Sequence, residues 1–316
     1  HESRLFKELA TAEKLFPAAK LMTIGLDREV EELSGLLQGR YPFERIRLWT
    51  ARLPKILPFQ LVKYVEWTLR AAWRARVSGA KVLHCHSLAA LPATVLASLG
   101  SSRTRILYDA HELETRRANM SRGRQRATEF LERLLMRYVS EILVVGPSIM
   151  SNYDERYPGK QISLLLNLPV LVRPEPRMQM RDMLGILPGR NFLIYIGALS
   201  PMRGIELLLE ALESLKGWHC LFLGAGPLEG AIKHAALKND RIHHHPPVAE
   251  SDIVNVVAEA DLSYAVIDCS ADSYRFALPN KFFQSLSAGI PVMVNIENVD
   301  MLSIGRESGM VFGVEY

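Results

Sequence analysis

Two loops of this 316-residue chain carry residues that could bind a phosphate group. The first, residues 197–204 (GALSPMRG), follows an apolar run and ends at Arg203 and a glycine, just before a helical pattern. The second, residues 278–281 (LPNK), has a proline where a helix would begin and Lys281 in its first turn. Helix N-termini favour anions because of their unpaired N–H groups and dipole, and Gly197 lets a ligand approach the backbone. We therefore predict that these loops bind a phosphate-bearing ligand.

A third loop carries a candidate catalytic side chain. His111 lies in the segment YDAHEL, between the carboxyl groups of Asp109 and Glu112 and directly after an apolar strand pattern. A histidine titrates near neutral pH, and neighbouring carboxylates shift its pKa. We predict that His111 takes part in catalysis; the alternative is a packed or solvent-exposed histidine.

The other histidines form no metal-binding pattern in the sequence. His84 and His86 share one face of a predicted strand, but no third ligand follows them at a suitable spacing. Adjacent histidines in the run 243–245 would point to opposite faces. The loop GAGP at 224–227 does not extend to a dinucleotide-binding fingerprint, and hydrolase and P-loop motifs are absent. We therefore predict no metal and no resident cofactor.

Alternating apolar strands and amphipathic helices must position these loops. The strands are nearly continuous in apolar residues, which is typical of a parallel sheet covered by helices on both faces. The predicted strands span 20–25, 46–50, 82–85, 106–109, 142–145, 162–166, 192–197, 220–223, 262–267 and 292–294. A proline- and arginine-rich segment at 168–190 predicts a linker. We predict two doubly wound α/β domains, 1–170 and 171–316, with ligands bound in a cleft between them.

Composition narrows the class of protein. A hydrophobic fraction of 48% with 23% charged residues fits packed globular domains, and no apolar run is long enough to span a membrane. Three cysteines at unrelated spacings indicate a reducing compartment, so we expect a cytoplasmic protein. Aromatic and basic residues are not interleaved, which does not favour nucleic acid as a partner. Seven arginines between Arg116 and Arg137 predict peripheral contact with an anionic membrane at its inner face; a solvated helix is the alternative.

Six segments, in order, resemble the retaining GT-B glycosyltransferases of family 4. They are LYDAHELE, NLP at 167–169, FLIYIGALSPMRGIELLLEAL, LFLGAGPLEGAI, PPVAESDI and ALPNKFFQSLSAGIPVMV. The resemblance covers nearly the whole chain and implies two Rossmann-like domains facing a cleft. In relatives a strand with a glycine-rich loop precedes the first helix, and a further helix follows the last strands. We expect both to be absent from this sequence.

The resemblance implies a glycosyltransferase that moves a sugar, with retention, from a nucleoside-diphosphate sugar to a carbohydrate or lipid-linked acceptor. Such enzymes act in glycan, polysaccharide or glycolipid biosynthesis. It places His111 near the donor sugar, gives Arg203 a catalytic role at the leaving diphosphate, and implies no metal. The implied donor-binding residues are Gly197, Arg203, Gly226, Val248, Glu250, Leu278, Pro279, Asn280, Lys281 and Gln284. The nucleotide sugar is then a co-substrate and not a cofactor.

This chain departs from the family pattern at the donor site. Ala198 stands where relatives often have a second basic residue, and Phe276 and Gln284 stand where they have two glutamates. An amide oxygen binds a ribose hydroxyl less strongly than a carboxylate does, by about 1 to 2 kcal/mol. Two alternatives therefore stay open: a nucleotide-sugar epimerase or phosphorylase on the same fold, and a non-catalytic nucleotide-sugar-binding subunit.

Overall fold

The chain divides into two compact units. The computed structural model describes residues 3–26, 34–37, 39–117, 120–169, 173–175 and 179–316. The first unit comprises His1–His111, Gly123–Leu143 and Tyr157–Ser163, and the second comprises Glu112–Arg122, Val144–Arg156 and Leu164–Tyr316. The predicted boundary at 170/171 lies outside the described residues, as do 170–172 and 176–178 of the predicted linker. The domain limits and the cleft therefore stay predictions.

The first unit contains two sheets. Its elements are α1 (Ser3–Leu15), β1 (Thr23–Leu26), β2 (Ser34–Leu37), β3 (Tyr41–Ile46), α2 (Leu57–Val77), β4 (Val82–Cys85), α3 (Leu91–Ser98), β5 (Arg105–Ala110), α4 (Arg122–Met136), β6 (Glu141–Val144) and β7 (Gln161–Leu164). The four-stranded sheet has the order β4-β5-β6-β7, with β4 and β5 parallel. A separate three-stranded sheet has the order β1-β3-β2, in which β2 runs antiparallel to β3. The second sheet differs from the single parallel sheet that the strand pattern predicts.

The second unit is built on one six-stranded parallel sheet. Its elements are α5 (Pro147–Arg156), α6 (Gln179–Met183), β8 (Asn191–Ile196), α7 (Ile205–Ser214), β9 (Trp218–Leu223), α8 (Glu229–Lys238), β10 (Ile242–His245), α9 (Ile253–Val257), β11 (Leu262–Tyr264), α10 (Asp272–Arg275), α11 (Asn280–Ser287), β12 (Val292–Asn295), α12 (Val299–Gly305) and β13 (Val311–Val314). The strand order is β10-β9-β8-β11-β12-β13, and every neighbouring pair is parallel. The chain therefore winds outward in both directions from β8, which is the doubly wound topology predicted from the sequence.

Most predicted strands are confirmed, and the differences have local causes. The segment 46–50 is not a strand, because β3 ends at Ile46 and a 3-10 helix follows at Trp49–Arg52. The Glu66 carboxylate accepts hydrogen bonds from two N–H groups of this turn, at 2.7 and 2.9 Å. Strands β2, β10 and β13 were not predicted, because their side chains are mostly half-buried or exposed and form no fully buried apolar run.

Helix α4 carries much of the arginine-rich segment at the protein surface. Arg122, Arg124 and Arg126 are exposed, and Phe130 is exposed between them and the end of the helix. Glu132 is buried instead and accepts a hydrogen bond from the Tyr157 hydroxyl at 2.8 Å. Within the described ranges, no helix is long and apolar enough to cross a membrane.

Candidate active site

A cavity of about 410 Å³ opens in the second unit at the carboxyl ends of β8 and β9. Strand β8 is flanked by β9 on one side and β11 on the other, so this edge is the topological switch point of the sheet. Open α/β sheets bind ligands at such points, because the loops there diverge and leave a crevice. The lining includes seven of the ten predicted donor-binding residues: Gly197, Arg203, Val248, Pro279, Asn280, Lys281 and Gln284.

The loop after β8 holds its shape through left-handed backbone positions. Gly197 has a φ of 112° and Gly204 a φ of 68°, and Met202 adopts a φ of 65°. A Cβ atom at Gly204 would lie 2.8 Å from the Tyr264 hydroxyl oxygen, so a larger residue could not start α7 in this position. The Tyr195 hydroxyl donates a hydrogen bond to the Ala198 carbonyl oxygen at 2.7 Å. The loop is therefore fixed before any ligand binds.

Lys281 places a buried cation in the cavity. Its side chain is in the first turn of α11 and the residue is only 7% exposed. The Nζ atom lies 3.8 Å from the centroid of the Tyr195 ring and has no hydrogen-bond partner among the described residues. Burial, with a smaller contribution from the Arg203 charge, holds the pKa of this ammonium group well below its usual value. A buried and unpaired donor of this kind is expected where an anionic ligand completes the site.

Arg203 supplies a second cation beside Lys281. Its guanidinium lies 5.3 Å from the centroid of the Tyr274 ring, which orients the group without neutralising it. No ion pair joins Arg203 or Lys281 to a carboxylate in the part of the chain that the structure describes. Helix α11 begins after Pro279, and its first N–H groups, which have no partner within the helix, add positive potential at this position. The Asn280 side chain accepts a hydrogen bond from Asn167 Nδ2 at 2.8 Å.

The remaining wall of the cavity is apolar and could contact a flat ring. Val248 and Ile253 line it, and both pack against the core cluster that includes Ile196 of β8. Gln284, one turn along α11 from Lys281, presents a side-chain amide. A cation pair, an amide and an apolar wall together match the parts of a nucleotide, which are phosphate, sugar hydroxyls and base.

Three predicted donor-binding residues do not line the cavity. Leu278 is buried in the core around α11, and Glu250 is exposed. Gly226 packs against the first loop, since a Cβ atom there would overlap the Leu199 carbonyl oxygen. Gly226 therefore has a structural reason to be glycine that does not depend on a ligand.

The predicted catalytic residue His111 lies in the first unit. Its Nε2 atom is 2.8 Å from Asp109 Oδ2, and Asp109 is fully buried at the end of β5. Burial raises the pKa of Asp109, but hydrogen bonds from His111, His86 and Arg4 outweigh it and hold the pKa well below its usual value. The carboxylate is therefore charged and holds the His111 ring at its Nε2 atom. That His111 lies near the sugar of a bound donor stays a prediction.

His84 and His86 do have further possible metal ligands near them, contrary to the prediction from sequence spacing. These are Glu8 from α1 and Asp109 from β5. One ligand atom from each of the four residues lies within 4.8 Å of the others. Burial and the Asp109 charge raise the pKa of Glu8 to about 7, and burial lowers the pKa of His84 to about 4. Glu8 is 76 positions from His84 in the sequence, so no local spacing could have indicated this cluster.

A family model for the glycosyl transferases group 1 matches residues 190–313, which contain every residue that lines the cavity. Over this region the chain is similar to the group 1 glycosyltransferases. The two loops that contain Arg203 and Lys281 lie within this region and are those singled out from the sequence.

Two curated relatives are similar over a shorter length. D-inositol 3-phosphate glycosyltransferases of Mycobacterium ulcerans and Mycobacterium marinum are each 22% identical over 209 residues, which is 63% of this chain and 40% of the relative. The chain thus spans less than half the length of these proteins.

Solved structures with a similar fold match nearly the whole chain. Sucrose-phosphate synthase from Thermosynechococcus elongatus matches with a TM-score of 0.75 at 14% identity, over 99% of this chain and 80% of that one. Anabaena HepE, in complex with UDP-glucose, matches with a TM-score of 0.67 at 15% identity, over 94% of this chain and 78% of that one. A glycosyltransferase from Rickettsia africae matches with a TM-score of 0.63 at 12% identity, over 94% of this chain and 84% of that one. The predicted α/β fold of GT-B type is therefore confirmed.

The cavity also has lining residues that the sequence did not single out. Tyr195 and Ile253 lie inside a strand and a helix whose apolar patterns indicate core packing, and only their positions at the sheet edge bring them to the cavity. Of the departures from the family pattern, Ala198 and Gln284 line the cavity and Phe276 does not.

Proposed function

We propose that this protein transfers a glycosyl unit from a UDP-sugar to an acceptor hydroxyl. The observation that carries the proposal is the buried Lys281 ammonium group, which faces the cavity beside Arg203 without a hydrogen-bond partner. A site with two cations and a helix N-terminus is suited to a diphosphate, whose oxygens would accept the hydrogen bonds that Lys281 can donate. The match of residues 190–313 to the model for glycosyl transferases group 1 supports a sugar nucleotide as the molecule that carries this diphosphate.

Three steps of the reaction would draw on these residues. The bond between the anomeric carbon and the diphosphate oxygen breaks, and negative charge develops on the leaving diphosphate. Lys281 and Arg203 stabilise this charge in a cavity partly shielded from water, where such interactions are strongest. The acceptor hydroxyl oxygen forms the new bond to the anomeric carbon and its proton passes to the departing diphosphate oxygen, with retention as the resemblance implies. We assign His111, held by Asp109, to the sugar side of the reaction.

Support for uridine comes from a structural neighbour. Anabaena HepE has been solved with UDP-glucose, with UDP and glucose, and with UDP. The sugar, the acceptor and the biosynthetic pathway are part of the proposal, with a carbohydrate or lipid-linked acceptor as the expected class. A cytoplasmic location and contact with an anionic membrane through α4 stay predictions; the exposed arginines and Phe130 of that helix support the membrane contact.

The first test is binding of a nucleotide panel. UDP and UDP-sugars should raise the unfolding temperature more than the GDP, ADP and TDP equivalents, because a ligand at a hundred times its Kd stabilises a protein by about 2.7 kcal/mol. Arg203→Ala should weaken UDP binding by about 1.5 to 3 kcal/mol, the range for a hydrogen bond to a charged group. Arg275→Ala, at an exposed position of the same unit, is the matched control. Equal UDP affinity in the two variants would show that the diphosphate does not bind beside Arg203.

The second test separates the possible reactions. A transferase releases UDP only when an acceptor is present, an epimerase converts the sugar without releasing UDP, and a phosphorylase requires inorganic phosphate. A non-catalytic donor-binding subunit is the second candidate, favoured by the neutral Gln284 amide in the cavity where relatives carry a carboxylate. Binding of UDP-sugars without turnover, combined with turnover in Gln284→Glu, would support that candidate. Turnover by the unmodified chain would exclude it.

A further inference from the structure

A cluster of two histidines and two carboxylates lies in the first unit. It comprises Glu8, His84, His86 and Asp109, and we call it the histidine–carboxylate cluster. Glu8 comes from α1, His84 from β4, His86 from the residue after β4, and Asp109 from the neighbouring parallel strand β5. The proposed transfer reaction assigns none of these side chains to the donor.

The two histidines lie between the two carboxylates and turn a different ring nitrogen to each. Glu8 Oε2 is 3.6 Å from His84 Nδ1 and 3.6 Å from His86 Nε2. On the other side, Asp109 Oδ2 is 3.8 Å from His84 Nε2 and 3.5 Å from His86 Nδ1. The rings stack with their centroids 4.3 Å apart, so both present a nitrogen to the same oxygen of Glu8.

Asp109 is held in place by other donors, and His84 Nε2 and His86 Nδ1, which face it, have no hydrogen-bond partner among the described residues. Arg4 donates from Nε and from Nη2 to the two Asp109 oxygens, each at 2.8 Å, and His111 lies 2.8 Å from Oδ2. A neutral imidazole has a single N–H group, and a buried carboxylate is its best acceptor. When both N–H groups face Asp109, the lone pairs of His84 Nδ1 and His86 Nε2 face the Glu8 carboxylate.

That arrangement is short of positive charge. The cluster has two carboxylates and one guanidinium, since Arg4 Nε also lies 2.9 Å from Glu8 Oε1. Apart from this ion pair with Arg4, the Glu8 oxygens are shielded from solvent and have no hydrogen-bond partner among the described residues. Two ring nitrogens that each lie 3.6 Å from the same buried carboxylate oxygen could form the inner half of a metal site.

We propose that Glu8, His84 and His86 bind a divalent transition-metal cation such as Zn²⁺, with Asp109 holding both imidazoles from behind. Bonds of about 2.0 to 2.1 Å in a tetrahedral site separate ligand atoms by about 3.3 to 3.4 Å, close to the 3.6 Å between Glu8 Oε2 and each of the two histidine nitrogens. A carboxylate behind a ligating histidine fixes its tautomer, as Asp109 would do here for two. The cation would join α1 to β4 and leave a coordination position for water. This proposal is independent of the proposed glycosyl transfer.

Metal binding by the whole chain tests the proposal. After treatment with a chelator and its removal, calorimetric titration with Zn²⁺ should show one site per chain, and Co²⁺ should give the absorption spectrum of a tetrahedral complex. The X-ray absorption spectrum of the zinc-loaded protein should show imidazole ligands. Glu8→Gln and His84→Gln should each weaken binding at least tenfold, and Asp109→Asn by about 10- to 100-fold, the usual effect of losing an outer-shell partner.

The second unit offers a matched control. His219 and His243 also stack, with Nδ1 and Nε2 3.1 Å apart, so His219→Gln removes a paired histidine outside the cluster and should leave Zn²⁺ affinity unchanged. UDP affinity and the circular dichroism spectrum check that each variant is folded. The proposal is overturned if the unmodified chain binds Zn²⁺ no tighter than millimolar. It is also overturned if binding survives both Glu8→Gln and His84→Gln, if it is lost in His219→Gln, or if the absorption spectrum lacks imidazole.

Discussion

Replacing Lys281 with methionine should change stability and ligand binding in opposite directions. The ammonium group is buried and has no hydrogen-bond partner, so it costs free energy in the ligand-free protein. Methionine has a similar length and would fill the space above the Tyr195 ring without a charge. We expect the free energy of unfolding of free Lys281→Met to rise by roughly 1 to 3 kcal/mol, the cost of an unsatisfied buried polar group.

The same change should weaken UDP binding. Lys281 is expected to donate to a charged phosphate oxygen, and such bonds contribute about 1.5 to 3 kcal/mol, which corresponds to an increase in Kd of about 10- to 160-fold. Calorimetric titration measures the affinity, and chemical denaturation without ligand measures the stability. Lys233→Met is the matched control, because Lys233 is 58% exposed on α8 and donates to Glu229 at 2.6 Å. The control should leave UDP affinity unchanged.

The pH dependence gives an independent check of the sign. The pKa of Lys281 is lower in the folded protein than in the unfolded chain, so between the two values the unfolded chain binds more protons. Stability of the ligand-free protein should therefore rise as pH increases through this window, and Lys281→Met should flatten that rise. Unchanged UDP affinity in Lys281→Met, or a loss of stability without ligand, would refute the assignment of Lys281 to an anion-binding site.

Three further predictions concern other parts of the chain. Gly226→Ala should destabilise the second unit by roughly 3 kcal/mol or more in denaturant titrations, because its Cβ would overlap backbone; Gly230→Ala, in open space on α8, should be neutral or stabilising, and equal effects would contradict the packing argument. EDTA should leave UDP affinity unchanged, since lysine, arginine and a helix end neutralise the diphosphate; loss of binding that Mg²⁺ restores would contradict this. The protein should sediment with acidic but not neutral vesicles, less so at high salt, and charge reversal at Arg122, Arg124 and Arg126 should abolish this, with each charge contributing about 1 kcal/mol; equal sedimentation of variant and unmodified chain would exclude the contact.

The apolar pattern of the sequence indicates most of the strands and helices and the two loops that line the cavity. Strands such as β8 are buried on both faces and read as continuous apolar runs, so their ends could be located to within a few residues. Because parallel strands bring their carboxyl ends to one edge, residues after different strands, such as Arg203 and Lys281, could be expected to meet. Helix α11 was equally visible, because Pro279 marks its start and Gly289 its end.

Which side chains are buried, paired or without a partner depends on the tertiary structure. The sequence identified Lys281 as a cation near a helix start, but its burial over the Tyr195 ring depends on where the start of α11 lies in the folded unit. Glu8 reaches His84 because α1 packs near β4, and the contact between Arg4 and Asp109 spans 105 positions of the chain. Local patterns report periodicity along one element, whereas convergence of side chains from several elements depends on register and packing angle, which no single segment encodes.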